Sequence, residues 1–335
     1  MIKKNFNCIK ICGLAFILIF SCKESDKTKI DSNNTQNPLS ELNTAINKNP
    51  YSDSLFYQRA KINYDLGNVD SVYSDLNKAI YFNKNKREYY FFLADTYLEN
   101  AQSLEAKKIL ENALNIFPED KQVQLKYVKL LIILKQYPLA TASLNDVLIK
   151  DPQNAEAFYL GGHISYEMGD TAAAINAYQK TVDLNPDFRE GWILLGDVMR
   201  ERKNKLSLQY YDNALKLDSN DVETLHNKAY ALQQFDQKEK AFELYQSICR
   251  KFKDYEPAFY NLGLMYMEKD SVDKAIEHLT ISIELNPMEA SSYYQRGLCF
   301  EKKGKRVEAK SDLTRATTLE PDWKEAKQAL SRILK

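Results

Sequence analysis

Histidine is the side chain best suited to moving a proton or holding a metal near neutral pH, and this chain has three: His163, His226 and His278. More than fifty residues separate each from the next, so no two share the short spacing that puts ligands on one helix face. The sequence contains no His-Glu-x-x-His run, no Gly-x-Ser-x-Gly elbow, no Gly-rich loop ending in Lys-Ser/Thr and no Cys-x-x-Cys pair. Cys249 and Cys299 sit in apolar stretches of helical pattern, which favour buried, unreactive thiols. The expectation is a protein that is not an enzyme, with no catalytic residue, no metal site and no cofactor. What remains is recognition by aromatic and acidic side chains, and those gain meaning only once the elements that carry them are placed.

The two ends are read first. Of 335 residues, 44% are hydrophobic and only 10 are Gly and 9 Pro, which suits a helical chain with a sizeable core better than an all-β one. Lys3, Lys4 and Lys10 precede an apolar run of ten, Ile11 to Phe20, which stops at Ser21-Cys22. That pattern reads as a secretory signal over residues 1–21, about half the length needed to span a bilayer. Ile19-Phe20-Ser21-Cys22 resembles a bacterial lipoprotein signal, which implies a lipid on Cys22 as the first mature residue. Lys23 in place of Asp after that cysteine then implies an outer-membrane lipoprotein, facing the periplasm or displayed on the cell surface. Lys23-Glu24-Ser25-Asp26 also resembles the acidic export tags of Bacteroidota surface lipoproteins. Loss of residues 1–21 removes three lysines and no acid, so the formal charge falls from 0 to −3, and nothing points to nucleic acid. Residues 22–37 are polar, with Ile30 the one aliphatic residue, and read as a tether.

Beyond the tether the prolines set a period. Pro118, Pro152 and Pro186 are 34 apart, as are Pro287 and Pro321. Aligned on them, the chain divides into repeats 53–86, 87–120, 121–154, 155–188, 189–221, 222–255, 256–289 and 290–323. The eighth place holds Ala60, Ala94, Gly162, Gly196, Ala229, Gly263 and Gly297, with Val128 departing. Alanine recurs at the twentieth, with Ser207 in the fifth repeat. The twenty-fourth holds Leu or Tyr throughout. The fifth repeat is one residue short, and the spacing from Gly196 to Tyr211 places the loss in the turn near Lys203–Leu206. Small residues at the eighth and twentieth places let two antiparallel helices approach to about 8–10 Å, and large ones at the twenty-fourth fill the space around them.

This pattern resembles the tetratricopeptide repeat, most openly at Trp192, Leu195 and Gly196 and at Gly162, Gly169, Ala174, Tyr178 and Pro186. The resemblance implies an all-α, right-handed α-solenoid of eight antiparallel helical hairpins over 53–323. A partial repeat over 38–52 precedes them, and a capping helix over 324–335 follows. The shortened turn and the missing alanine at Ser207 predict a looser fifth repeat.

In that family the first helices line a concave groove through their second, fifth, ninth, twelfth and thirteenth places. Here those places carry Tyr57, Tyr64, Tyr159, His163, Tyr166, Tyr230, His226, Tyr260 and Tyr294, an aromatic ladder suited to peptide contact, though some rings could simply pack between repeats. They also carry twelve acids, Asp65, Glu88, Asp95, Glu99, Glu156, Glu167, Glu190, Asp197, Glu201, Glu223, Glu268 and Glu301, against Lys61, Lys129, Arg200 and Lys302, a formal charge of −8. The expected partner is a protein or peptide segment bearing Lys or Arg, received in an acidic, Tyr-rich groove with Glu167, Asp197 and Glu201 among the contacts. The chain would thus be a membrane-anchored interaction scaffold. A subunit of an envelope secretion, gliding or outer-membrane assembly complex and a glycan or small-ligand capture protein are the alternatives.

Overall fold

Apolar positions at helical period, broken every 34 residues, dictate paired helices. The computed structural model describes residues 36–335, and among them are eighteen helices and no strand. The signal, Cys22 and residues up to 35 lie outside the described part. Helix α1 (Gln36–Lys48) carries Pro38 in its first turn, where a missing N–H costs nothing. Eight hairpins follow: α2 (Asp53–Asp65) with α3 (Val69–Phe82), α4 (Arg87–Glu99) with α5 (Ser103–Ile116), α6 (Lys121–Ile133) with α7 (Tyr137–Lys150), α8 (Ala155–Glu167) with α9 (Thr171–Leu184), α10 (Arg189–Glu201) with α11 (Leu206–Leu217), α12 (Val222–Gln234) with α13 (Lys238–Lys251), α14 (Glu256–Glu268) with α15 (Val272–Leu285), and α16 (Ala290–Lys302) with α17 (Arg306–Leu319). Helix α18 (Lys324–Leu334) closes the chain, burying Ala326, Ala329 and Ile333 and leaving Lys324, Glu325, Lys327 and Gln328 exposed, as the end of a stack requires.

Two compact units divide between Leu184 and Asn185. Within each, the second helix of one hairpin packs on the first helix of the next: α3 on α4, α5 on α6 and α7 on α8 in the first unit, α11 on α12, α13 on α14 and α15 on α16 in the second. First helices of some consecutive hairpins also touch, α6 with α8 in the first unit and α10 with α12 and α14 with α16 in the second.

The hairpins close on the small and large places the repeat pattern supplies. A Cβ on Gly162 would lie 2.4 Å from Tyr178 Cε1, and one on Gly196 2.5 Å from Tyr211 Cε1. Both tyrosines are fully buried, and a ring lying flat over the opposite backbone leaves no room for a methyl group. The turn inside each hairpin needs a left-handed residue at its fifteenth place. Gly67, Gly169 and Gly304 supply it without strain, whereas Ala101, Lys135, Lys203, Asp236 and Asp270 adopt it at φ of 56–58°.

Lys203 keeps the fifth repeat in register through that turn, so the lost residue is missing after it, from the first turn of α11. Elsewhere the alanine at the twentieth place bonds four residues back, as Ala174 N does to Asp170 O at 3.0 Å. Ser207 N instead bonds three back, to Asn204 O at 3.1 Å, and α11 has 12 residues where the other second helices have 14. A tighter winding of one turn absorbs the deletion. Ser207 is fully buried there, and its hydroxyl has no hydrogen-bond partner.

Candidate partner-binding face

In the first unit the face begins on α2 and α4. Tyr57 packs 4.7 Å from Tyr89 and 6.0 Å, edge-on, from Phe92, with the Lys61 ammonium 4.4 Å above its ring. Tyr64 also meets Phe92 edge-on at 5.3 Å and donates to Glu99 Oε2 at 2.6 Å. Partial burial and the Glu99 carboxylate raise the Tyr64 phenol well above its ordinary value, so it stays a donor. On α8, Glu167 is exposed and accepts from Tyr137 Oη at 3.2 Å, while Tyr166 is half-buried.

The second unit carries a polar network instead. Asp197 accepts from Tyr211 Oη at 2.7 Å and from Asn227 Nδ2 at 3.4 Å. Arg200 Nε donates to Tyr211 Oη at 3.1 Å, its guanidinium lies 3.6 Å from Asp197, and it covers the Tyr230 ring at 5.5 Å. Burial raises the Asp197 carboxyl against the pull of Arg200. Asn261 Nδ2 sits 3.0 Å from His226 Nε2 and donates to Pro257 O at 2.8 Å, which fixes the amide orientation. His226 Nε2 is therefore the acceptor, and the ring proton is on Nδ1. Burial, with Arg200 nearby, pushes this imidazole down to about 4. Tyr260 is half-buried, its phenol pushed up to about 12 mainly by burial, and Tyr294 packs 4.6 Å from Trp323. Glu201 is exposed.

Two sequence expectations need correction. Tyr159 is 6% exposed and His163 1%, their rings edge-on at 4.6 Å, so neither presents a surface to a partner. Both rings turn into their own hairpin, Tyr159 6.3 Å and His163 5.7 Å from the buried Tyr178 ring on α9. Burial pushes His163 down to about 4, and its Nε2 has no hydrogen-bond partner. The formal charge of −8 also overstates the acidity. Asp95 pairs with Lys126 (2.5 Å), Glu156 with Lys129 (2.6 Å), Glu268 with Lys238 (3.0 Å), Glu301 with Arg332 (2.7 Å), and Asp197 with Arg200. Weaker pairs join Glu88 to Lys86 at 4.0 Å and Glu190 to Arg189 at 3.5 Å. Lys126, Lys238 and Arg332 lie outside the five counted places, and so the count missed them. The exposed carboxylates without a cation in these pairs include Asp65, Glu99, Glu167 and Glu223.

Sequence reasoning also missed Phe92, Asn227 and Asn261, all at the sixth place of their repeats. That place turns toward the first helix of the preceding hairpin, Phe92 to Tyr57 and Tyr64, Asn227 to Asp197 and Asn261 to His226. Tyr211, at the twenty-fourth place, was read as core, yet its hydroxyl reaches through the hairpin to Asp197.

Profiles of the tetratricopeptide repeat match residues 97–164, 159–206, 256–287 and 290–322. A Dictyostelium discoideum protein described as a DnaJ homolog subfamily C member 7 homolog is 24% identical over 215 residues, covering 64% of this chain and 36% of its own length. A Drosophila melanogaster BBSome complex member BBS4 homolog is 24% identical over 239 residues, covering 70% of this chain and 42% of its own. The chain thus spans less than half the length of these relatives. Among solved structures, the C-terminal part of a TPR repeat-containing protein from Cytophaga hutchinsonii aligns at a TM-score of 0.57 with 16% identity, over 72% of this chain and 99% of that one. The APC/C hetero-tetramer Cut9–Hcn1 aligns at 0.54 with 18% identity, over 90% and 59%. At these identities the structures show the fold alone, an α-solenoid of helical hairpins.

Proposed function

The chain carries tetratricopeptide repeats, and from that premise we propose that it is a lipid-anchored scaffold that binds a segment of another protein on the first helices of its hairpins, in either unit. The observation that carries this reading is the part-exposed rings and hydroxyls on those helices, Tyr57 and Tyr64 in the first unit and, separately, Tyr230, Tyr260 and Tyr294 in the second. Tyrosine offers rigid contact area with a hydrogen-bonding tip at low entropic cost, the usual composition of a peptide-binding surface. The exposed carboxylates of the same set of helices, Asp65, Glu99, Glu167 and Glu223, favour a segment bearing Lys or Arg. The preference is weaker than the sequence count implies, because the paired carboxylates contribute little to the field.

Acylation of Cys22 would place the scaffold on the outer membrane, facing the periplasm or the cell surface. The reading includes no catalytic step. Charge reversal at Glu167 and Glu201 tests the basic-segment preference: partner binding should weaken several-fold and lose much of its dependence on ionic strength. Binding indifferent to both variants and to salt removes the electrostatic part of the proposal.

A further inference from the structure

Two tyrosines stand at places that are polar in most repeats. Tyr81 is 76% exposed at the twenty-ninth place of its repeat, where others carry Asn115, Asp183, Arg250 and Glu284 and one carries the apolar Ile149. Tyr51 is 78% exposed two residues before α2, where the equivalents include Asn85, Glu119, Asp187 and Asp254, with Met288 before α16. Both rings meet Phe82 edge-on, Tyr51 at 5.7 Å and Tyr81 at 5.4 Å. Phe82 in turn stacks on buried Phe56 at 5.7 Å, so the exposed pair is seated on the core. Asn83 Nδ2 donates to Asp53 Oδ2 at 3.0 Å, tying the second of these turns to the first.

The same two turns are cationic. Residues 47–51 and 81–86 contain Lys48, Lys84 and Lys86 and no acid, all three lysines exposed; Glu88 lies 4.0 Å from Lys86, and Asp53, at the start of α2, accepts from Asn83 and Tyr89. Most later turns at the same edge carry acids, Glu119 and Asp120, Asp183 and Asp187, Asp218 and Asp221; the turn at 250–255, with Arg250, Lys251 and Lys253 against Asp254, is also basic but carries no tyrosine at either of the two places.

We infer that this edge, Tyr51 and Tyr81 ringed by Lys48, Lys84 and Lys86, rests on an anionic lipid surface. Tyrosines seat their rings at headgroup level, and lysines beside them add attraction to anionic lipid. A basic or peptide-binding patch would have little use for two adjacent, nearly fully exposed rings without a groove. The inference rests on the lipid-anchor reading for its geometry. The chain from Cys22 to Gln36 can extend at most ~50 Å, and α1 adds about 20 Å to the edge, so the anchor and the edge can share one membrane surface.

The test uses the full chain purified from membranes and reconstituted into vesicles of phosphatidylcholine, with or without phosphatidylglycerol. A photoreactive benzoylphenylalanine replaces Tyr51, Tyr81 or, as controls, the equally exposed Ile149 (78%) and Met288 (68%). Lipid adducts should form at 51 and 81 well above the controls. They should rise with phosphatidylglycerol and fall roughly tenfold with Lys84→Glu and Lys86→Glu together. Adduct yields at 51 and 81 no higher than at Ile149, or unchanged by lipid charge and by the two lysine variants, overturn the inference. Mass analysis of the purified chain reports acylation separately. If Cys22 carries no lipid, the anchor reading fails, and added vesicles then test the edge alone: retention on phosphatidylglycerol vesicles that is lost in Lys84→Glu/Lys86→Glu supports it, and no retention overturns it.

Discussion

Replacing Ser207 with alanine should make this protein more stable. The Ser207 side chain is fully buried in the first turn of α11, and its hydroxyl has no partner. A buried hydroxyl that has lost its water hydrogen bonds and gained none costs about 1–3 kcal/mol. Alanine removes that cost and gains a further ~0.5 kcal/mol of helix propensity. The site already has the geometry for alanine, since Ala106, Ala140, Ala174, Ala241, Ala275 and Ala309 occupy the same place in six other repeats, all fully buried. The gain should be about 1.5–3.5 kcal/mol, read as a higher urea midpoint at unchanged slope. Stability in a repeat stack is local, so amide exchange across 189–221 should slow by about tenfold or more. The converse exchange, Ala174→Ser, should cost a similar amount. A neutral or destabilising Ser207→Ala, with Ala174→Ser costing its full share, would show that the Ser207 hydroxyl has a partner and refute the argument. Before substitution, 189–221 should exchange faster than the flanking repeats; equal protection contradicts the looser fifth repeat.

Gly162→Ala and Gly196→Ala should each destabilise by roughly 2–3 kcal/mol, because the new methyl group collides with a buried tyrosine ring. Combining Gly162→Ala with Tyr178→Leu should recover part of the loss in a double-mutant cycle, since Ala60 with Leu76 and Ala94 with Leu110 fill the same places in the first two repeats; an additive cycle contradicts this. Acid should unfold the protein through His163 and His226. Both are held neutral in the folded state, with pKa near 4 against 6.5 for the free side chain, so their contribution is complete above about 6.5 and is lost as pH falls toward 4. Each should steepen the loss by about 1.4 kcal/mol per pH unit in that window, and His163→Phe should flatten its share. A pH-stability curve that is flat between 6.5 and 4 refutes the burial of both rings.

The repeat was legible because its cause is local: a proline where the second helix must stop, a small residue where helices touch, a left-handed residue in the turn. The shortened α11 was legible in count but not in form, since nothing in Lys203–Ser207 says whether the turn or the helix absorbs the loss. The face was harder to read. Whether Tyr159 lines a groove or fills a gap depends on how its ring packs with His163 and with Tyr178 of α9, a tertiary arrangement that composition does not encode. Charge misled for a related reason. The five counted places held the acids, while Lys126, Lys238 and Arg332 reach in from places that the periodicity assigns elsewhere. The Asp197–Arg200–Tyr211 network joins two helices of one hairpin and extends to the next through Asn227, so no single-helix pattern could show it.

Site-specific photocrosslinking in native membranes tests the binding role most directly. With a photoreactive residue at Tyr166 or Tyr260 on the first helices of their hairpins, the account predicts discrete protein adducts, identifiable by mass spectrometry, that are absent when the probe stands at Ile149 on the outer surface. No adduct at Tyr166 and Tyr260, or the same adducts from all three positions, would contradict it.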